Sequence, residues 1–226
     1  MELTICYFNT GMNRANLLAI KKRAEWRGIE LSIFNLSKQP EAIPQADIIL
    51  LEGDPNDIHT RELSLLQKHR SQLEASFNNH ASILATGLGY QLIGNYYINQ
   101  EQNKLKGLQL VNARTVETTD KTGNELVLKS ELFGRIVGFE KHASKTYHTY
   151  PPLGELVKGK GNNGEDGKEG LVYRTLIGTN IQGPFLPKNP KIADQLLKWA
   201  LDKKYGRPIL SSLDDTLERQ VNQQTI

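Results

Sequence analysis

Residues 83–94, ILATGLGYQLIG, decide the fold: an apolar run enters a glycine-framed turn and continues as the start of an amphipathic segment. This order predicts a strand, a tight turn and a helix, which is the layout of a nucleophile elbow. Such a turn holds one residue in a strained backbone conformation, so that its side chain stands above the sheet.

Towards the N-terminus, short apolar runs alternate with amphipathic segments. The run IILL at 48–51 is apolar throughout, which favours a strand that is covered on both faces. Such strands separated by helices predict an α/β fold with a mostly parallel central sheet and helices on both faces. The predicted elements are strands at 2–8, 29–35, 48–51 and 81–85 and helices at 14–27 and 60–79.

Beyond the elbow the pattern changes. Residues 105–150 alternate in the manner of strands and are rich in turns, and residues 159–170 (GKGNNGEDGKEG) form a polar, glycine-rich loop. We therefore expect an antiparallel extension of the sheet in this half. A further strand at 171–178 and a helix at 190–204 should follow.

The composition limits the class of protein. The chain has 226 residues, 38% of them hydrophobic and 23% charged, which suits one domain at 1–205 and a polar tail at 206–226 that we expect to form a peripheral helix. No apolar run approaches the ~20 residues of a membrane span, and the N-terminus lacks the features of an export signal, so a cytoplasmic location is expected. The net charge of +3 is scattered, which disfavours nucleic acid. The single cysteine, Cys6, should be a small buried hydrophobe.

Other runs carry more specific motifs. They are IGTNIQGPFLPKNP at 177–190, FGRIVGFEKH at 133–142, KTYH at 145–148 and GNNGEDGKEG at 161–170. With the elbow, these runs resemble in order and spacing the signatures of the GatD family. Its members are the class I, CobB/CobQ-type glutamine amidotransferase subunits of lipid II isoglutaminyl synthase. The resemblance covers most of the chain.

The resemblance implies a fold, a partner and a reaction. The fold is that of class I glutamine amidotransferases. The partner is a Mur-ligase-like MurT subunit, which forms a heterodimer with GatD and amidates the D-glutamate of the lipid II stem peptide. ATP and Mg are expected on that ligase partner, and no cofactor is expected in this chain.

The same resemblance locates the catalytic positions. The family's nucleophile, a cysteine, corresponds to Gly87, and its general base, a histidine, corresponds to Gln182. Hydrolysis of a carboxamide by this route needs a thiolate to attack and an imidazole to transfer protons. Glycine has no side chain and the amide of glutamine does not titrate. We therefore predict that this chain does not hydrolyse glutamine.

Substrate-binding positions follow in the same way. They are Gly53 and Leu88, which supply backbone amides to the oxyanion, Gln91 in the elbow motif, and Lys121. The family has an arginine where Lys121 stands, and lysine keeps the charge but loses the two-pronged grip on a carboxylate. Binding of L-glutamine should therefore be weakened.

Further departures lie at two other segments. Glu52 and Asp54 replace glycines of the family's oxyanion loop, and residues 13–16 (NRAN) replace its D-x-G-N segment.

Alternatives remain for the missing side chains. Thr86 precedes the elbow, but its strand position predicts that it points to the opposite face. His142 and His148 could act as bases, although a packing role fits their motif better. The other histidines, which match no metal-site spacing and are expected at the surface, are His59, His69 and His80.

Two other functions also stay open. One is an active glutamine-hydrolysing amidotransferase whose nucleophile has been replaced in this sequence. The other is a relative of the cobyric acid synthase amidotransferases.

Overall fold

The computed structural model describes residues 1–11, 14–38, 42–55 and 60–224. In chain order its strands are β1 (Glu2–Asn9), β2 (Glu30–Asn35), β3 (Ile48–Glu52), β4 (Ser82–Thr86), β5 (Tyr96–Ile98), β6 (Lys104–Lys106), β7 (Ala113–Ser130), β8 (Gly134–His148), β9 (Gly154–Lys158), β10 (Lys168–Glu169), β11 (Leu171–Tyr173), β12 (Leu176–Thr179) and β13 (Ile181–Gln182). The helices are α1 (Ala15–Glu25), α2 (Thr60–Lys68), α3 (Arg70–Asn78), α4 (Leu88–Leu92), α5 (Phe185–Lys188), α6 (Pro190–Tyr205) and α7 (Thr216–Gln224).

The first sheet has the order β11-β12-β4-β3-β1-β2. Its neighbours run parallel except for the edge pair of β11 and β12, which is antiparallel. Every residue of β3 and β4 is buried, as expected of strands with a layer on each face. The predicted α/β class, with a mostly parallel sheet, is confirmed.

Two hydrophobic cores cover the two faces of this sheet. Alternate residues of β1 divide between them, with Ile5 in one core and Phe8 in the other. The apolar stripes of α1 and α6 close the first core, and those of α2 and α3 close the second. Helix α6 has proline at its first position and ends at Gly206 in the left-handed conformation, φ 71° and ψ 55°, so both of its ends follow from sequence.

The antiparallel strands mostly form a second sheet. Strands β7 and β8 make a long hairpin whose pairing shifts between Glu117 and Thr122, and β5, β6, β9, β10 and β13 join it. Among the described strands, β11 alone extends the first sheet in the antiparallel sense. The single strand expected at 171–178 is wrong: the chain reverses at Arg174, φ 57°, and forms the β11–β12 hairpin.

The long helix expected at 60–79 is also wrong, because it breaks at His69 into α2 and α3. The His69 side chain is buried, not at the surface, and neither ring nitrogen has a hydrogen-bond partner among the described residues. Burial lowers its pKa. His80 is exposed as expected, while His59 lies outside the described residues.

Helix α7 lies in the tail. None of the residues of α7 is buried. Asn222 donates to the carbonyl oxygen of Lys188 at 3.0 Å, and Asp215 pairs with the buried Arg23 at 2.6 Å. In the described part of the chain, no helix has the length and apolar character to cross a bilayer.

Candidate functional site at the elbow

The turn between β4 and α4 has the geometry of an elbow. Gly87 has φ 54° and ψ −116°, a conformation that glycine adopts without the strain a side chain would bring. Its N–H donates to the carbonyl oxygen of Thr179 at 3.0 Å, which fixes the turn against β12. The predicted order of strand, turn and helix is therefore confirmed.

Three of the predicted positions meet at this turn. A methyl group built on Gly87 would lie 3.4 Å from Cγ of Gln182 and 3.3 Å from Cδ of Pro55. It would also lie closer to the carbonyl oxygen of Gly53 than real contacts allow. The space that a nucleophile would need is thus bordered by Gln182 and partly filled by the loop after β3.

The amide that follows the elbow is already engaged. The N–H of Leu88 donates to the carbonyl oxygen of Gly53 at 3.1 Å. In an elbow hydrolase this amide helps to bind the oxyanion. The carbonyl oxygen of Gly53 therefore takes up the N–H of Leu88. The resemblance implied instead that Gly53 would contribute its own N–H to the oxyanion.

Gln182 is held by its amide. Its Nε2 donates to the carbonyl oxygen of Lys141 at 2.5 Å, and its backbone pairs with Phe139 of β8. The side chain at the family's base position is thus bound to the neighbouring strand and has no proton to exchange at neutral pH.

The other two predicted residues lie elsewhere. Gln91 is buried in α4, where its Nε2 donates to Oγ of Ser144 at 2.8 Å and its Oε1 has no partner among the described residues. Lys121 is exposed on β7, in the irregular part of the β7–β8 hairpin, and does not border the elbow cleft.

A cleft of about 370 Å³ opens beside the elbow. It lies at the carboxyl ends of β1, β3 and β4, where ligands of parallel α/β sheets bind. Thr86 borders it, although we expected this residue on the opposite face. No cysteine or histidine borders it in the part of the chain that the structure describes. The lining residues are Asn9, Gly11, Glu52, Gly53, Asp54, Thr86, Phe139, Gln182, Gly183 and Pro184.

Glu52 is the residue whose role sequence reasoning missed. Its side chain ends β3, is 6% exposed and accepts a hydrogen bond from Nδ2 of Asn16 at 3.4 Å. Burial raises the pKa of the Glu52 carboxyl to about 7, and the bond from Asn16 opposes that rise. The sequence feature that could have indicated this role is a charged residue at the end of an otherwise apolar strand.

Asn16 connects Glu52 to the turn after β13. Its Nδ2 also donates to the carbonyl oxygen of Gly183 at 3.2 Å, and its Oδ1 accepts from the N–H of Leu186 at 2.9 Å. Asn16 is the last residue of the 13–16 segment that departs from the family's D-x-G-N. Asn13, the first residue of that segment, lies outside the described residues.

The remaining candidates do not line the elbow cleft. Cys6 is fully buried, which confirms the prediction, and burial raises the pKa of its thiol to about 11. His142 is buried, with Nδ1 2.9 Å from the carbonyl oxygen of Ser144 and Nε2 3.4 Å from Glu140. Nε2 of His148 accepts from Asn162, and burial lowers the pKa of this histidine. Among the described residues no group of His, Cys, Asp and Glu could hold a metal ion.

The sheet topology and the elbow together identify the fold as that of class I glutamine amidotransferases. A solved glutamine amidotransferase from Thermotoga maritima has a TM-score of 0.56 with this chain. The match covers 98% of this chain and 90% of that one at 11% identity, so it concerns the fold alone.

Sequence relatives define the family more closely. The model of the CobB/CobQ-like glutamine amidotransferase domain matches residues 4–190. The GatD subunit of lipid II isoglutaminyl synthase (glutamine-hydrolyzing) from Staphylococcus aureus is 33% identical over 98% of this chain and 94% of its own length. The GatD subunit from Streptococcus pneumoniae is 28% identical over 94% of this chain and 84% of its own length. The chain belongs to the GatD family of CobB/CobQ-like amidotransferases.

Proposed function

We propose that this chain is a GatD-like subunit of a lipid II isoglutaminyl synthase that binds the ligase subunit but does not hydrolyse glutamine. The family assignment supports the first part, because the match to a named GatD subunit runs over 98% of this chain. The cobyric acid synthase alternative has less support, since GatD relatives match nearly their whole length.

The state of the elbow carries the second part. Acyl transfer by this route needs a nucleophile, a general base and donors for the oxyanion. Gly87 offers no nucleophile, and the Gln182 amide is bound to a backbone carbonyl. The Leu88 amide is bound to Gly53. In the described part of the chain, none of the three requirements is met at the elbow.

The size of the loss can be estimated. In a hydrolase whose catalytic side chains are removed, binding and oxyanion stabilisation leave roughly 10³–10⁴-fold acceleration over water. Here that remainder should also fall, because the oxyanion donor at Leu88 is engaged. Activity should therefore lie below the level of a simple catalytic knockout.

The partner we propose is a MurT-type ligase in the cytoplasm. That subunit would bind ATP and Mg and amidate the D-glutamate of the lipid II stem peptide. Without glutamine hydrolysis the complex would depend on free ammonia. The role of this chain would then be to dock and stabilise the ligase.

Co-expression tests the proposal. A MurT-type ligase from the same genome should co-purify with this chain, and the complex should amidate lipid II with ammonium chloride but not with L-glutamine. Failure to co-purify would contradict the docking role. Amidation supported by L-glutamine would contradict the loss of hydrolysis.

An active amidotransferase with one substituted nucleophile is the second candidate. The collision between a side chain at Gly87 and the Gly53 carbonyl counts against it, because the loss would then reach the backbone of the neighbouring loop. A glutaminase assay of the Gly87→Cys variant separates the two candidates.

A further inference from the structure

A cavity of about 200 Å³ lies between the tail helix α7 and the body of the protein. Its floor is apolar and includes Phe133, Ile136 and Ile192, which also belong to the first hydrophobic core. Protein interiors are closely packed, so a gap of this size over apolar side chains is space that the fold leaves open. An apolar cavity of about 150 Å³ can hold a benzene molecule. This cavity therefore admits an organic group of that size.

The walls of the cavity carry positive charge. Arg135, Lys191 and Arg219 line it, one each from β8, α6 and α7, and no acidic side chain lines it in the part of the chain that the structure describes. Lys191 and Arg219 form no salt bridge with any described residue. Charges of one sign beside apolar walls concentrate their potential in a cavity. The cavity should therefore attract anions.

Two contacts place the charged groups of Arg135 and Lys191. Nε of Arg135 donates to the carbonyl oxygen of Asn222 at 3.4 Å, so the guanidinium group reaches from β8 to α7. A methyl group built on Gly134 would lie 4.0 Å from Nζ of Lys191, which puts the ammonium group beside the start of β8. Both cations therefore lie where β8, α6 and α7 meet. An anion bound there would accept charge-assisted hydrogen bonds.

The wall that α7 forms is fixed in place. Nδ2 of Asn222 donates to the carbonyl oxygen of Lys188 at 3.0 Å and to Oδ1 of Asn189 at 3.2 Å. Asp215, in the segment before α7, pairs with Arg23 at 2.6 Å. A cavity whose walls are already ordered loses little conformational entropy when a ligand binds.

We propose that this cavity binds an anion that carries an apolar group. The apolar group would pack on the floor, and Arg135, Lys191 and Arg219 would hold the charged group. The anion could be a phosphate ester or a carboxylate, because arginine pairs with both and lysine supplies a point charge. The cavity and the elbow cleft share no described lining residue. The inference therefore does not depend on the loss of glutamine hydrolysis.

Calorimetric titration of the purified chain at low ionic strength tests this. The probes are phenyl phosphate and benzoate. The controls are inorganic phosphate, which has the charge without the apolar group, and phenol, which has the ring without the charge. At least one probe should bind saturably and about tenfold more tightly than either control, because each control lacks one half of the complementary chemistry. The probe that binds more tightly assigns a phosphate ester or a carboxylate.

Matched variants localise the effect. Lys191→Gln and Arg219→Gln remove charges from exposed side chains, and the double variant should weaken binding of the tighter probe about tenfold. Lys106→Gln removes the same charge from an exposed position on β6 that does not line the cavity, and it should bind like the parent chain. Thermal melting verifies that the variants fold. If the double variant does not fold, each single variant should weaken binding about threefold.

Three results would overturn the inference. They are no saturable binding of either probe, binding of inorganic phosphate or phenol as tight as that of the better probe, or unchanged affinity in the folded Lys191 and Arg219 variants. A chain that binds neither probe and hydrolyses no glutamine would retain the proposed function and lose this inference alone.

Discussion

The buried carboxylate of Glu52 should make the stability of the fold depend on pH. Burial raises its pKa from 4.5 to about 7. Between these values the folded chain holds a proton that the unfolded chain has lost, so the free energy of unfolding falls as the pH rises. At about 1.4 kcal/mol for each pH unit in that window, the loss is roughly 3 kcal/mol. Above about pH 7 this contribution no longer changes.

The Glu52→Gln variant isolates the effect. Glutamine does not titrate, so the variant should gain roughly 3 kcal/mol over the parent chain when the pH is raised from 4.5 to 8. Urea unfolding at several pH values measures the difference, in which the contributions of other titrating groups cancel. The control variant Glu30→Gln, which removes the same charge from an exposed position in β2, should follow the parent chain throughout. A difference between Glu52→Gln and the parent that is the same at every pH would refute the reasoning.

Three further predictions concern the elbow, the thiol of Cys6 and the ion pairs of Arg23. In a glutaminase assay, Gly87→Cys alone should release no ammonia, because an unassisted thiol of pKa about 8.5 is mostly protonated. The double variant with Gly87→Cys and Gln182→His should release ammonia weakly, because the new cysteine displaces the Gly53 carbonyl. Cys6 should resist a thiol reagent in the folded chain and react only after unfolding, since it is fully buried and its pKa is about 11. Asp194→Asn should cost about 2 kcal/mol in urea unfolding, because the buried Arg23 loses the charge of one of its two carboxylates and keeps that of Asp215.

Each of these predictions has a control and a contradicting result. Gly28 also has a positive φ, 64°, but open space around it, so Gly28→Cys adds a thiol away from the elbow and, as the control for Gly87→Cys, should release no ammonia. If the folded variant with both Gly87→Cys and Gln182→His releases no ammonia, the predicted displacement of the Gly53 carbonyl has not occurred. Rapid labelling of Cys6 in the folded chain would contradict its burial. Glu25→Gln, in an exposed ion pair, should leave the unfolding midpoint unchanged, and an equal effect of Asp194→Asn would contradict the buried role.

The fold was predictable where one local pattern dominated. Apolar runs such as 48–51 specify strands covered on both faces, and the parallel sheet follows from their alternation with helices. The break at His69 was missed because the helical period continues through it. The reversal at Arg174 was missed because neither glycine nor proline marks the turn.

The site was predictable in its positions and not in its contacts. The resemblance placed Gly87 and Gln182 as a pair, and the structure brings them together. The bond from Leu88 to Gly53 depends on the path of a loop, which no motif encodes. The burial of Glu52 depends on α1 and on the turn after β13, which are distant in sequence.

Ammonia release from L-glutamine tests the central claim most directly. The purified chain should be assayed alone and with a MurT-type ligase, with the reaction followed under saturating L-glutamine. We predict that release stays at background in both cases, because the described residues at the elbow include no nucleophile and no base and the Leu88 amide is bound to Gly53. Release above background that rises in proportion to the concentration of this chain would contradict the account.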